Sequence, residues 1–363
     1  MLIYIENQAR DLTQTKVILE KFKNSEIIYI DNYKNLFDKA LPTGANKNSF
    51  IVAKLNSPAI TNAPNGYGHN DHTSYFFKTS LNCIFNCDYC FLKGAFKNDI
   101  PVYFINYDDI RKQIEEKVKE INLEKSLSLQ EGGLEGENDY ELNIKTDLKY
   151  KNKVWFYSSD YSDILGMDNI SNFLKNFVPF FEKINSPFYG VITGEKFTAS
   201  MMEIRTKSAN IKPILDLGFI PKNTEFAFSL NPQILIEKYE KGTSSLDDRI
   251  KSINILLDKG YNVGLRFLPL LPVNNYKEIY GDFVKEIKSK IDMDKVSSTF
   301  VSGLLYTKSD YNNILKKYPK LDILYRLKED DGVFIREKKE MRDYFYKLFR
   351  ELDKKCFICL DNK

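Results

Sequence analysis

The stretch Asn82–Leu92, NCIFNCDYCFL, constrains this chain more than any other. It sets Cys83, Cys87 and Cys90 at the spacing C-x3-C-x2-C. Three thiolates this close in sequence converge on one metal centre only if the loop curls around it. Fe–S clusters are normally held by cysteine thiolates, and usually by four. Three leave one iron without a protein ligand, open to a small molecule. Tyr89 precedes the third cysteine and Phe91 follows it. Two other readings stand beside the cluster. One is a zinc site with His72 as fourth ligand; the other is a set of unligated buried cysteines.

A length of 363 residues suits an α/β barrel with additions. Hydrophobic residues at 43% and charged residues at 28% describe a soluble globular chain, not a disordered one. The formal charge of +3 neither demands nor excludes nucleic acid, because a local basic groove can coexist with a balanced total. Beyond the loop, the cysteines are Cys356 and Cys359. An odd, clustered set makes a poor disulfide framework and suits a reducing cytoplasm. The opening MLIYIENQAR lacks a basic start followed by an apolar run, so no signal peptide is expected. No run approaches the length of a membrane span.

Leu2–Ile5, Leu12–Phe22 and Glu26–Ile30 read as a small β-α-β unit without a glycine-rich phosphate loop. Ser57–His72 is rich in Pro, Gly and Asn and reads as a linker, so His69 and His72 are expected to be exposed loop residues. The domains expected are an extension with linker over 1–72 and a main unit over 73–363. Ser74–Lys78 reads as a strand feeding the cysteine loop. Tyr107–Ile121 reads as a helix capped by Asn106, and 123–152 as a polar surface insertion with a hairpin near Tyr140–Leu148. From about residue 74, strands and helices alternate, ending in a strand at Lys355–Leu360. That pattern argues for a parallel sheet. Polar residues gather just after strand ends, at Ser158–Asp163, Lys207, Ser229 and Asn231, where barrel active sites are built. Arg205 and Arg266 alternate with apolar neighbours, so each faces either the barrel interior or solvent.

The cysteine loop resembles that of the radical SAM enzymes. The segments YSDILGMDNIS (161–171), EIRTKSANI (203–211), FAFSLNP (226–232), YEKGTSSLDDRI (239–250), GYNVGLRFLPLLP (260–272) and CFICLD (356–361) extend the likeness. In their order and spacing they resemble the spore photoproduct lyase family. The resemblance implies an α/β fold: a partial (β/α)6 TIM-type barrel with a small N-terminal extension. It also implies a [4Fe–4S] cluster and S-adenosylmethionine (SAM) as cofactors, a thymine lesion in DNA as substrate, and an electron donor such as flavodoxin or ferredoxin. Carried over by residue, Cys83, Cys87 and Cys90 would hold the cluster and Lys207 would pair with the SAM carboxylate. Ser229 would contact SAM, Asp160 would accept from its amino group, and Tyr89 and Leu268 would meet its nucleoside. On the residues alone, Lys207 reads as a solvated loop lysine and Ser229 as a helix N-cap.

The chain departs from that family's pattern in two places. Its members return a hydrogen atom through a loop cysteine and use a tyrosine after the third cluster cysteine. Here those positions hold Asp160 and Phe91, which carry neither thiol nor phenol. Cys359 is the candidate replacement donor, with a buried structural cysteine as the alternative. Cys356 and Cys359 form a C-x2-C pair, but on a strand they face opposite sides. Basic residues within Arg326–Lys339 are candidates for holding DNA phosphates, against a plainly solvated face. Two further classes remain: radical chemistry on RNA, a peptide or a small molecule, and a zinc-stabilised nucleic-acid-binding protein.

Overall fold

The computed structural model describes residues 1–39, 48–68, 74–131, 153–185 and 200–360. His69, His72 and the hairpin expected at Tyr140–Leu148 lie outside these residues. The first strands in chain order are β1 (Leu2–Glu6), β2 (Glu26–Ile30), β3 (Ser49–Ala53), β4 (Ile60–Asn62), β5 (Ser74–Phe77), β6 (Ser80–Leu81), β7 (Asn86–Cys87) and β8 (Val102–Phe104). There follow β9 (Val154–Tyr157), β10 (Ser200–Thr206), β11 (Thr224–Ser229), β12 (Glu240–Lys241), β13 (Val263–Leu270) and β14 (Ser298–Gly303). The last are β15 (Leu305–Thr307), β16 (Glu329–Asp330), β17 (Phe334–Arg336) and β18 (Phe357–Ile358).

The main sheet has eight strands in the order β18-β14-β13-β11-β10-β9-β5-β4. Every pairing from β5 to β18 is parallel, and β4 adds an antiparallel edge. The sheet curls until its two edges approach: the Leu360 N–H, just past β18, donates to the Gly66 carbonyl, just past β4, at 2.9 Å. Alternate strand residues divide the labour. Met202, Ile204, Phe226, Phe228, Leu265 and Phe267 join Leu256 and Phe349 of the surrounding helices in the main apolar core.

The intervening positions line the inside, where they build an ion network. Glu203 and Glu225 sit opposite one another on β10 and β11. Arg266 of β13 bridges them, donating to Glu203 at 2.6 Å and to Glu225. Arg205 donates to the other Glu203 oxygen at 2.8 Å. A Cβ at Gly264 would stand 2.7 Å from the Arg266 guanidinium and from the Glu225 carboxylate, so the bare glycine makes room for the pair. Both arginines thus face the interior. Their pairing is what makes buried charge tolerable there.

A second, five-stranded sheet has the order β2-β1-β3-β8-β6. β1 pairs in parallel with β2 and β3, as a β-α-β opening requires. The two sheets share the chain across the cysteine loop. β6 and β8, on either side of that loop, belong to the N-terminal sheet, whereas β4, from the linker, belongs to the barrel.

Three local features differ from expectation. The helix beginning at Tyr107 runs to Glu131 instead of ending near Ile121. No glycine or proline interrupts it before Gly132, and Leu, Lys, Gln and Glu favour continuation. Asn106 does not cap it by accepting from its first turn. Its amide bonds both backbone groups of Leu55, at 2.8 and 3.2 Å, and donates to Asp109. The terminal strand is only Phe357–Ile358, because the Cys356 N–H bonds back to Asp353 and Leu360 adopts φ 57°.

Candidate active site

The C-terminal ends of the parallel strands surround a cavity of about 460 Å³, within the range of cofactor and small-molecule sites. The nine residues singled out from the sequence all line it: Cys83, Cys87, Cys90, Tyr89, Asp160, Lys207, Ser229, Leu268 and Cys359.

The cysteine loop is held from three sides. β7 pairs antiparallel with β12, setting Cys87 opposite Glu240. The Asp88 N–H donates to the Tyr239 carbonyl at 2.8 Å, and the Tyr306 hydroxyl donates to the Tyr89 carbonyl at 2.6 Å. The Tyr89 hydroxyl donates to Glu240, a buried carboxylate that also receives Arg249 at 2.7 Å and Asn231 at 3.0 Å. Burial alone would raise the Glu240 carboxyl, but Arg249 and Lys207 hold it below its usual value. On the far side, the short helix Leu92–Ala95 packs against the helix Lys308–Lys317. A Cβ on Gly94 would stand 2.7 Å from the Asp310 carbonyl oxygen, so only glycine permits this approach.

Burial pushes the Cys83 thiol well above its ordinary value, Cys87 up to about 12, and Cys90 upward as well. Such thiols stay protonated until a metal compensates the thiolate charge. Among the described residues, no three His, Cys, Asp or Glu side chains form a cage for a single metal ion. All three thiols line one cavity, a donor set of the kind that holds Fe–S clusters.

Lys207 follows β10, and its ammonium lies 5.8 Å from the Tyr89 ring centre, facing Cys87 and Cys90. Its placement comes from Asp163, a buried carboxylate that accepts from the Lys207 N–H at 2.6 Å, the Thr206 hydroxyl at 2.7 Å and the Gly166 N–H at 2.8 Å. Burial raises the Asp163 carboxyl, and these donors oppose the rise. Ser229 does not cap the following helix, whose cap is Pro232. Its hydroxyl is buried without a partner beside the cavity. An orphaned donor, a cation and three convergent thiols fit a cluster with a zwitterionic ligand on its open iron.

Asp160 is half-buried on the cavity wall, and its desolvation pushes the carboxyl up to about 6 against the pull of Arg205. Leu268 packs with Phe300, Phe357 and Cys359 on the inner wall. Cys359 ends β18. Its N–H donates to the Val301 carbonyl at 2.9 Å, and burial pushes its thiol up to about 11. Cys356 packs into the helix-facing core instead, so the two cysteines share no site.

Several contributors carried no sequence signal of their own. Tyr67, from the linker, wedges between Phe76 and Tyr157 on the cavity floor, with Arg205 over its ring at 5.4 Å. Glu240 and Tyr306 act through the loop they hold. Asp163 was findable as an N-cap just before the apolar helix Ile164–Ser171. The Arg326–Lys339 segment corrects an expectation. Arg336 is buried and paired with Asp331, Arg326 meets Asp322, and Lys339 meets Asp343. Acidic residues interleaved with the basic ones neutralise most of the stripe, leaving Lys328 and Lys338 exposed.

A curled parallel sheet with a three-cysteine loop at the C-terminal ends of its strands defines the radical SAM class of partial barrels. A family profile described as spore photoproduct lyase matches residues 146–352, more than half of the chain. The chain belongs to the spore photoproduct lyase family. It is similar to the spore photoproduct lyase of Clostridium acetobutylicum, with 24% identity over 87% of this chain and 82% of that protein. The Bacillus subtilis enzyme is 22% identical over 88% of this chain and 82% of its own length. A crystal structure of a spore photoproduct lyase mutant with bound AdoMet and dinucleoside spore photoproduct superposes with a TM-score of 0.71, at 18% identity, covering 98% of this chain and 97% of the other.

Proposed function

We propose that this chain is a radical SAM lyase that reverses a thymine lesion in DNA. The observation that carries the reading is the convergence of Cys83, Cys87, Cys90, Lys207 and the orphaned Ser229 hydroxyl on one cavity. A [4Fe–4S] cluster bound there would supply the one-electron reduction of SAM from which radical chemistry on the substrate starts. Cys83, Cys87 and Cys90 hold the cluster. The Lys207 ammonium pairs with the SAM carboxylate, the Ser229 hydroxyl bonds it, and Asp160 accepts from its amino group. Tyr89 and Leu268 pack against the nucleoside. A lesion in duplex DNA must be flipped out to enter the cavity.

Cys359 returns the hydrogen atom. With its thiol pushed up to about 11 it stays S–H at neutral pH, the form a donor needs. Its S–H bond breaks as a C–H bond forms on the product. The thiyl radical left behind takes one electron from the same reductant that would reduce the cluster, and one proton from water, to become a thiol again. Asp160 and Phe91 favour a second reading, in which the same chemistry acts on RNA, a peptide or a small molecule. A reducing cytoplasm suits both readings, since the cysteines are free. No helix among the described residues is long and apolar enough to cross a membrane.

The test is anaerobic reconstitution, dithionite reduction and chromatography for 5′-deoxyadenosine, with and without UV-irradiated DNA. Formation of 5′-deoxyadenosine that is lost in Cys87→Ala, with thymine restored in the DNA, is expected. Cleavage of SAM that ignores DNA would move the assignment to the second reading. Zinc without iron, and no cleavage, would overturn both.

A further inference from the structure

The cysteine loop has two faces. Its inner face turns to the large cavity. Its outer face borders a separate small cleft of about 50 Å³, which touches Cys83 and Cys90. Lys93 and Lys317 line this cleft and flank the Tyr318 ring, at 5.1 and 5.2 Å from its centre. Their ammonium groups donate to neutral acceptors: Lys93 to the Asn86 amide, and Lys317 to the Phe96 and Lys97 carbonyls at 3.3 and 3.1 Å. Lys97, Lys316 and Lys320 are exposed close by in the chain. Asp99 also lines the cleft.

Among the described residues, none of these five lysines is ion-paired, in contrast to the neutralised Arg326–Lys339 segment. Unpaired cations lining and flanking such a cleft make a surface that attracts an acidic partner. The cleft lies beside two of the three thiols, outside the cavity that SAM and substrate would fill.

We propose that this cleft is the docking surface for a small acidic redox protein of the flavodoxin class. That partner delivers the single electron the reaction consumes: the carrier is oxidised by one electron, the metal centre is reduced by one, and no proton moves. The proposal rests on the function proposed above. Steering by opposite charge makes the encounter fast at low salt and slower as salt rises.

The test compares two reductants on the reconstituted enzyme, dithionite and a reduced bacterial flavodoxin, and measures flavodoxin binding over a salt series. In the K93E/K317E double variant, dithionite-driven formation of 5′-deoxyadenosine should persist. Flavodoxin-driven formation should fall about tenfold or more at low ionic strength, and binding should weaken. K97E/K320E changes exposed residues outside the cleft lining and should shift both readouts the same way to a smaller degree. Flavodoxin rates and affinities unchanged in both variants would overturn the proposal. So would affinity for irradiated DNA falling while flavodoxin binding holds, which would make this a nucleic-acid surface. Loss of dithionite-driven activity in wild type would instead sink the reaction proposed above, while flavodoxin binding is read on its own.

Discussion

The Tyr89 hydroxyl donates to the Glu240 carboxylate, joining the cysteine loop to a buried ion pair with Arg249. Both partners of that pair are fully buried, so breaking it strands a charge. Arg249→Leu should destabilise the protein by about 3–5 kcal/mol, read by denaturant unfolding. Tyr89→Phe leaves the fold intact and frees the loop. It should lower retained iron, because groups that orient metal ligands are worth about 10–100-fold in metal affinity. Iron counting after desalting, together with the EPR spectrum of the reduced cluster, separates loop positioning from mere folding.

Asp160 predicts a pH signature in the protein without cofactors. Its carboxyl rises from an unfolded value of 3.8 to about 6 through burial, opposed by Arg205. Between those values the folded state binds more protons than the unfolded state, so stability falls as pH rises through the window. Asp160→Asn removes this penalty. The variant should be more stable by about 2–3 kcal/mol at pH 7, and the difference should shrink to about 0.5 kcal/mol at pH 4. Thermal melts from pH 4 to 8 read it, and a constant offset would show that Asp160 is not titrating in this way.

Cys359 and Cys356 should separate cleanly. Cys359 lines the cavity and Cys356 does not. Cys359→Ala should still cleave SAM while restored thymine declines and side products accumulate. Cys356→Ala should leave the product distribution unchanged. Product chromatography on irradiated DNA decides it, and identical profiles for the two variants would remove Cys359 from the reaction.

Gly94→Ala should move the helix Leu92–Ala95 away from the helix Lys308–Lys317. Its Cβ meets a backbone oxygen at 2.7 Å and the Ile314 side chain at 2.8 Å, and a backbone atom cannot swing aside. Overpacking of this kind costs about 1–3 kcal/mol. Because that helix flanks Cys90, iron retention should fall along with the melting temperature.

Much of the barrel was legible because helix-facing strand positions are apolar and follow a strict period of two. Val263, Leu265 and Phe267 announce a strand and also which face is dry. The same pattern is silent about partners. Val102–Ile105 reads from the sequence as one more strand of the alternating series, yet Val102–Phe104 pairs with β3 in the other sheet, because an apolar triplet fits either. The polar strand Ile60–Asn62 was hidden inside a loop-like composition. Alternation also left open whether Arg205 and Arg266 face water or the interior. Only Glu203 and Glu225, brought level by strand register, decide it. In the site, the cysteine spacing pointed to a metal centre and the strand ends flagged Lys207 and Ser229, whose roles came only through resemblance. Glu240 and Tyr67 lie far from the cysteines in sequence and are joined to the site by tertiary packing alone.

The bond between Leu360 and Gly66 closes the gap between the edges of the curled sheet. It ties together segments from nearly opposite ends of the chain, so it encloses almost the whole barrel as one loop. Closing so long a loop carries a high entropic toll that only an already assembled sheet can offset. The wall that carries Cys359 is therefore expected to form last during folding and to open first under stress. The Cys359 thiol would then rest on the least protected seam of the molecule, where its backbone amide should exchange with solvent ahead of the strands it joins.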